Sequence, residues 1–209
     1  MSGGRSSDGS AMSFALYITH PQVQVDPDVP VPQWRLSEVG RARALEAADS
    51  VWIKTIGRIV SSREMKAIET ADLLATGVDL EIEIIEGMEE NDRSATGFLP
   101  PDAFEAAADW FFAHPTESFE GWERAVDAQA RIAHAVDMVL ADHDPTTPIV
   151  FVGHGGVGAL LKCHLKGIPI SQSEDQPAGG GNLFCFTLAD RSVSCDWTPF
   201  ETWQGEDQR

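Results

Sequence analysis

Basic residues are scarce in this sequence: 15 lysines and arginines stand against 33 aspartates and glutamates in 209 residues, a formal net charge of −18. That balance repels nucleic acid and anionic membrane, so neither is expected as a partner, and an anionic ligand must find a local basic pocket. Cysteine is scarcer still. Cys163, Cys185 and Cys195 show no CxxC and no Cys/His zinc spacing, and an odd count argues against a disulfide framework, so a reducing, cytoplasmic setting is the expectation. No H-x-x-x-H pair is present to seed a zinc site, and neither a metal nor another cofactor is expected. No apolar run approaches the ~20 residues that a membrane span needs. Met1–Met12 lacks an apolar h-region and reads as a flexible leader, not a signal peptide.

What remains is ordinary for a globular protein, with 43% apolar and 23% charged residues. The length suits one α/β domain with a sizeable core, and no internal repeat or second boundary stands out. The expected division is a leader over 1–12, a single domain over 13–198 with a possible lid insertion at 86–119, and a polar tail over 199–209. Two stretches dominate the domain. Phe14-Ala15-Leu16-Tyr17-Ile18 is a continuous apolar run, the pattern of a strand buried on both faces, and it stops at Thr19-His20-Pro21. Pro148 to Val152 ends the same way, at Gly153-His154-Gly155-Gly156. In open α/β sheets ligands bind outside the carboxyl ends of the strands, so two strands deliver an imidazole each to the edge where chemistry is done. A lone histidine is more often a core or capping residue; two in matching strand-end positions favour a site.

The remaining elements follow in order. Val25 to Pro32 is proline-rich and reads as an extended loop. Ser37 is an N-cap candidate for a helix whose Val39, Ala42, Leu45 and Ala48 recur at helical spacing. A strand over Ile56–Val60 leads to Ser61 and Glu64, which fit a capping box, while Arg63 and Lys66 share a helix face. That face suits an anion at a helix N-terminus, and equally a solvated basic face paired with Glu64 and Glu69. Leu80–Ile85 alternates apolar with acidic, as an edge strand does. Glu86–Pro101 is a long polar loop, and helices are expected over Asp102–Ala113, Phe119–Ala141 and Gly155–Lys166, the last starting on glycines with free N–H groups. A hairpin over Asn182–Leu188 and Ser192–Trp197 completes the domain.

In this order, Thr19-His20-Pro21, Leu36-Ser37-Glu38-Val39-Gly40, Ser61–Ala71 (SSREMKAIETA), Met88-Glu89-Glu90 and His154-Gly155-Gly156 resemble the motifs of the histidine phosphatase superfamily, the phosphoglycerate mutase-like proteins. The resemblance spans roughly residues 14 to 190. It implies a three-layer α/β/α sandwich with a mostly parallel central sheet. It also implies a metal-independent phosphatase acting on a small phosphorylated substrate. His20 would attack phosphorus and be phosphorylated, and His154 would donate to the phosphoryl oxygens. Glu90 would be the general acid, with Glu89 the neighbouring alternative and a carboxyl pKa raised near bound phosphate. A backbone carbonyl, that of Pro21 for instance, would hold one ring proton of His20. The family's two phosphate-clamping arginines correspond here to Thr19 and Lys66. Lysine lacks the bidentate fork of arginine, and threonine brings no charge. Arg63 and Arg93 are the candidate replacements, and Gly155 heads the helix whose amides face the same anion. The rival reading is a catalytically weakened relative that binds a phosphorylated ligand or a protein partner without turnover.

Overall fold

In a computed structural model, which describes residues 13–205, a six-stranded sheet runs β3-β2-β4-β1-β5-β6. The strands are β1 (Phe14–Thr19), β2 (Arg58–Ser61), β3 (Ile82–Ile84), β4 (Ile149–Gly153), β5 (Asn182–Thr187) and β6 (Val193–Pro199). The first four run parallel to one another, and β5 pairs antiparallel with both β1 and β6. The sheet is mostly parallel, as its apolar runs imply.

Side chains of a strand alternate between the faces, so consecutive residues of the central strands feed two cores. Ala15, Tyr17, Ile149, Phe151, Phe184 and Phe186 go to one side, where they meet Phe111 and Phe112 of α3 (Pro101–Ala113), Ile132 and Val136 of α4 (Ala125–Ala141), and Val157 and Leu160 of α5 (Gly155–Lys166). Leu16, Ile18, Val150, Val152, Leu183 and Cys185 go to the other, against Ala44 and Ala47 of α1 (Glu38–Ala48) and Ala67, Ala71 and Leu74 of α2 (Met65–Ala75). This is the three-layer sandwich expected. Strand β3 lies at the sheet edge, where Glu83 faces outward and pairs with Arg58 at 2.8 Å.

Local expectations fail where a tertiary contact overrides spacing. Ser37 does cap α1, accepting from Gly40 N at 3.1 Å, but the helix turns a different face inward: Gly40, Ala44, Ala47 and Ala48 are buried, while Val39 and Leu45 are exposed. Gly40 sets that rotation, since a Cβ there would lie 2.2 Å from the carbonyl oxygen of Gln22. Helix α4 begins at Ala125, not Phe119, because Glu120 (φ 46°) and Gly121 (φ 94°) are left-handed and turn the chain so that Trp122 enters the core. The capping box at α2 is absent. Glu64 is itself the N-cap residue, and its carboxylate reaches other partners.

Residues 86–119, where a lid insertion is expected, form an irregular stretch with α3 inside it, and Ala107, Phe111 and Phe112 bed that helix into the main core. The polar tail begins later than residue 199: Phe200 and Trp203 are buried, and the Phe200 carbonyl accepts the indole N–H of Trp52 at 3.1 Å. Composition misplaced that boundary because two aromatics outweigh their polar neighbours. The leader and the last four residues lie outside the described part. Among the described residues no helix is long and apolar enough to cross a membrane.

Candidate active site at the ends of β1 and β4

Strands β1 and β4 are parallel neighbours with Thr19 opposite Gly153, so the next residues, His20 and His154, leave the same sheet edge side by side. Their rings meet edge to face with centroids 5.3 Å apart. Register alone therefore joins two imidazoles that are far apart in sequence.

His20 is held by its backbone, its amide donating to the Gly153 carbonyl (3.1 Å) and its carbonyl accepting from Gly181 N (3.0 Å). Its ring Nδ1 lies 2.9 Å from the Pro21 carbonyl oxygen. A carbonyl only accepts, so the ring proton belongs on Nδ1 and Nε2 carries the lone pair. Burial, then His154 and Lys66, push the His20 pKa down to about 3, which keeps the ring neutral across the physiological range. The glycine run Gly179-Gly180-Gly181 is left-handed throughout, and a Cβ on Gly180 would lie 2.4 Å from the His20 carbonyl oxygen, so only glycine lets this loop pass so close. Arg43 ties the loop down by donating to the carbonyls of Gly180 (3.0 Å) and Gly181 (3.2 Å) while paired with Glu201.

His154 is fully buried. Ser62 Oγ stands 2.9 Å from its Nε2 and accepts the Glu64 amide at 3.3 Å; in the tautomer where this hydroxyl donates to Nε2, the ring proton stands on Nδ1. That Nδ1 is buried with no protein partner among the described residues. A buried polar atom without a partner costs about 1–3 kcal/mol, and this one lies beside His20. Burial lowers the His154 pKa, with the nearby Glu64 carboxylate opposing it. The main chain of His154 is fixed by Tyr17, whose hydroxyl accepts the His154 amide and donates to its carbonyl, both at 3.1 Å. Tyr17→Phe orphans that buried amide and is expected to cost about 1–3 kcal/mol in urea unfolding, with a smaller effect wherever water can enter.

Two carboxylates complete the inner ring. Glu90 accepts from the amides of Gly156 (3.0 Å), Val157 (2.9 Å) and Asn91 (3.1 Å), and Arg93 lies 3.2 Å away. It occupies the N-terminus of α5, where amides and helix dipole favour an anion. Burial works to raise its pKa, but Arg93 and His154 outweigh burial and the net shift is downward. Glu64 is buried, 3.7 Å from His154 Nε2, takes the amide of Glu90 at 3.0 Å and pairs with Lys66 Nζ at 2.5 Å. Burial pushes its carboxyl up, while His154, Lys66 and the Glu90 amide pull it down to about 2.

The candidate phosphate ligands are distributed unevenly. Lys66 is buried and spent on Glu64 and on the Val31 carbonyl at 3.0 Å. Arg93 stacks over Phe104 and Trp122 and holds Glu90 and Asn91. Arg63 is largely exposed and paired with Glu89 at 2.7 Å. Thr19 is buried, donates to Gln176 Oε1 at 2.6 Å and accepts from Asn182 N at 3.0 Å. Gly155 heads α5, and a Cβ on it would lie 2.5 Å from Gln176 Nε2. Sequence reasoning missed Ser62 and Gln176. Ser62 sat inside a recognised motif without a role, nothing local to Gln176 announces it, and Glu64, offered as a capping-box member or as a partner of the basic face, is the partner of Lys66.

The sequence profile of the histidine phosphatase superfamily (branch 1) matches residues 19–196. The chain belongs to that superfamily. Solved structures agree on the fold. A mycobacterial glucosyl-3-phosphoglycerate phosphatase bound to inorganic phosphate is 23% identical, with a TM-score of 0.71 over 93% of this chain and 98% of that one. YhfR of Bacillus stearothermophilus is 19% identical at a TM-score of 0.73, covering 90% and 99%. A phosphoserine phosphatase mutant of Entamoeba histolytica in complex with phosphoserine is 17% identical at 0.73, covering 92% and 100%. No curated protein matches the sequence. Thr19 and Lys66 are both engaged by neighbouring side chains, Gln176 and Glu64.

Proposed function

We propose that the chain is a phosphatase that hydrolyses a small phosphomonoester through a phosphohistidine on His20. The observation that carries this reading is the contact of the two strand-end imidazoles, with His20 Nδ1 held by the Pro21 carbonyl. That hydrogen bond leaves Nε2 as a lone pair on a neutral ring, the form in which imidazole attacks phosphorus. His154 Nδ1 supplies a donor in a water-poor setting, where a hydrogen bond to a phosphoryl oxygen is strongest as charge builds in the transition state. Splitting transfer to water into two displacements lowers each barrier. Membership of the superfamily and the likeness of fold to phosphomonoester phosphatases support the same chemistry.

The second reading, a relative that binds without turnover, draws on one observation: neither position that matches a clamp arginine offers a free positive charge. Chemical quench separates the two. An aryl phosphate mixed with the full chain is expected to leave acid-labile, base-stable phosphate on protein during turnover. Background hydrolysis with no labelled protein would favour the binder.

A further inference from the structure

Each cation that the sequence offers to a phosphate already holds a carboxylate. Lys66 is bound to Glu64 at 2.5 Å, Arg93 to Glu90 at 3.2 Å and Arg63 to Glu89 at 2.7 Å. Behind Glu90, Arg131 of α4 is spent on Glu123 at 2.6 Å and on the carbonyls of Gly87, Glu89 and Glu90. On the loop ahead of β5, Asp175 adds a carboxyl close enough to Glu90 to be raised by it as well as by burial. The two imidazoles bring no charge while neutral. The surroundings of His20 therefore balance to zero or slightly negative.

Uncharged donors are what remain. Gln176 Oε1 accepts from Thr19 Oγ1 (2.6 Å) and Asn182 Nδ2 (3.1 Å), which fixes the amide with Nε2 turned to Gly155 at the head of α5. Thr19 stands where the resemblance calls for the first arginine, and through it a glutamine 157 residues away is brought to the same strand end. The second donor is the buried, unpartnered Nδ1 of His154. Two neutral donors compensate the desolvation of one negative charge far better than of two, because the desolvation cost grows with the square of the charge.

On the reading of the chain as a phosphatase, we propose that its site takes the phosphoryl group as a monoanion, with Gln176 Nε2 as a neutral replacement for a clamp arginine. The proton that the leaving alkoxide needs then comes from the substrate. Nε2 of His20 bonds to phosphorus as the P–O bond to the alcohol breaks, and the phosphoryl hydroxyl passes its hydrogen to the departing oxygen. Reactants and products both carry one negative charge: monoester monoanion and neutral histidine give alcohol and a phosphohistidine of charge −1, whose hydrogen stays on Nδ1 and is donated to the Pro21 carbonyl. Water then displaces the histidine to give the phosphate monoanion. Glu90 keeps its place as the ionised cap of α5, and no step asks it to give up a proton.

The test is calorimetric titration of the full chain between pH 5.5 and 8.5 with two non-hydrolysable ligands. Phenylphosphonate gains a second charge as pH rises, and its monomethyl ester stays singly charged throughout. Phenylphosphonate affinity is expected to fall about tenfold per pH unit above its second ionisation, while the ester is bound evenly. Gln176→Leu should weaken both by about tenfold, the value of one lost hydrogen bond, and Gln176→Arg should remove the pH slope of phenylphosphonate. Phenylphosphonate binding that is flat or tightens with pH overturns the proposal. So does a parallel fall for both ligands, which would mean a titrating protein group, or no binding of either. Because binding needs no turnover, the expected slope with an inactive protein would sink the phosphatase reading and the transfer step with it, and leave the monoanion preference of the site standing. Turnover that depends on His20 with no such slope does the reverse.

Discussion

Alanine at His20 is expected to lower kcat/KM for a generic aryl phosphate by roughly 10⁴-fold or more, with no acid-labile phosphate left on the protein. The size follows from what is removed. Without Nε2 the reaction must run as a single displacement by water, which lacks the fixed lone pair that the Pro21 carbonyl enforces on the ring. The residual rate would come from His154, which can still donate to the developing charge. Stability should move by less than about 1 kcal/mol, since the ring stands at a strand end and the contacts that hold this backbone, Gly153 O and Gly181 N, involve no side-chain atom. Added imidazole should restore part of the rate by filling the space left behind. Equal rates for wild type and variant would remove the phosphohistidine from the mechanism, whatever the substrate.

The histidine pair was legible because its cause is local. Two apolar runs that each end in histidine become neighbouring parallel strands, and a register of Thr19 with Gly153 does the rest. The fold was legible for the same reason, since strand-by-strand patterning fixes which residues feed each core. What escaped is set by long-range partners. The amides that Glu90 caps lie 66 and 67 residues further on, and the Lys66–Glu64 pair, which spacing offers only on a solvated face, is buried by packing. Gln176 carries no motif; only the folded chain sets it beside Thr19. The inward face of α1 was misread because spacing cannot register the close approach of Gly40 to Gln22.

Glu64 should prove the most sensitive position for stability. Lys66 is almost fully buried, and among the described residues its ammonium is bonded to Glu64 and to the Val31 carbonyl. Glu64→Ala strands that charge, leaves the Glu90 amide without its acceptor and is expected to cost about 3–5 kcal/mol, or roughly 10 °C in Tm for a domain of this size. The cost belongs to the unpaired lysine and not to the pair, so Glu64→Gln with Lys66→Met should recover more than half of it, the glutamine oxygen still accepting the Glu90 amide. A double variant as unstable as Glu64→Ala would locate the loss elsewhere. Acid adds an independent check. The Glu64 carboxyl is held at about 2, below its unfolded value, so its contribution is fully present above the ordinary carboxylate range and is lost as pH falls toward 2. His20, held at about 3, loses stability in the same direction from a higher starting point, because the unfolded chain protonates it first. Urea unfolding from pH 6 to pH 2 should therefore show two overlapping declines in the wild type. In the double variant the lower one should shrink, Glu90 and Asp190 still being held below the ordinary carboxylate range, and the histidine decline should remain.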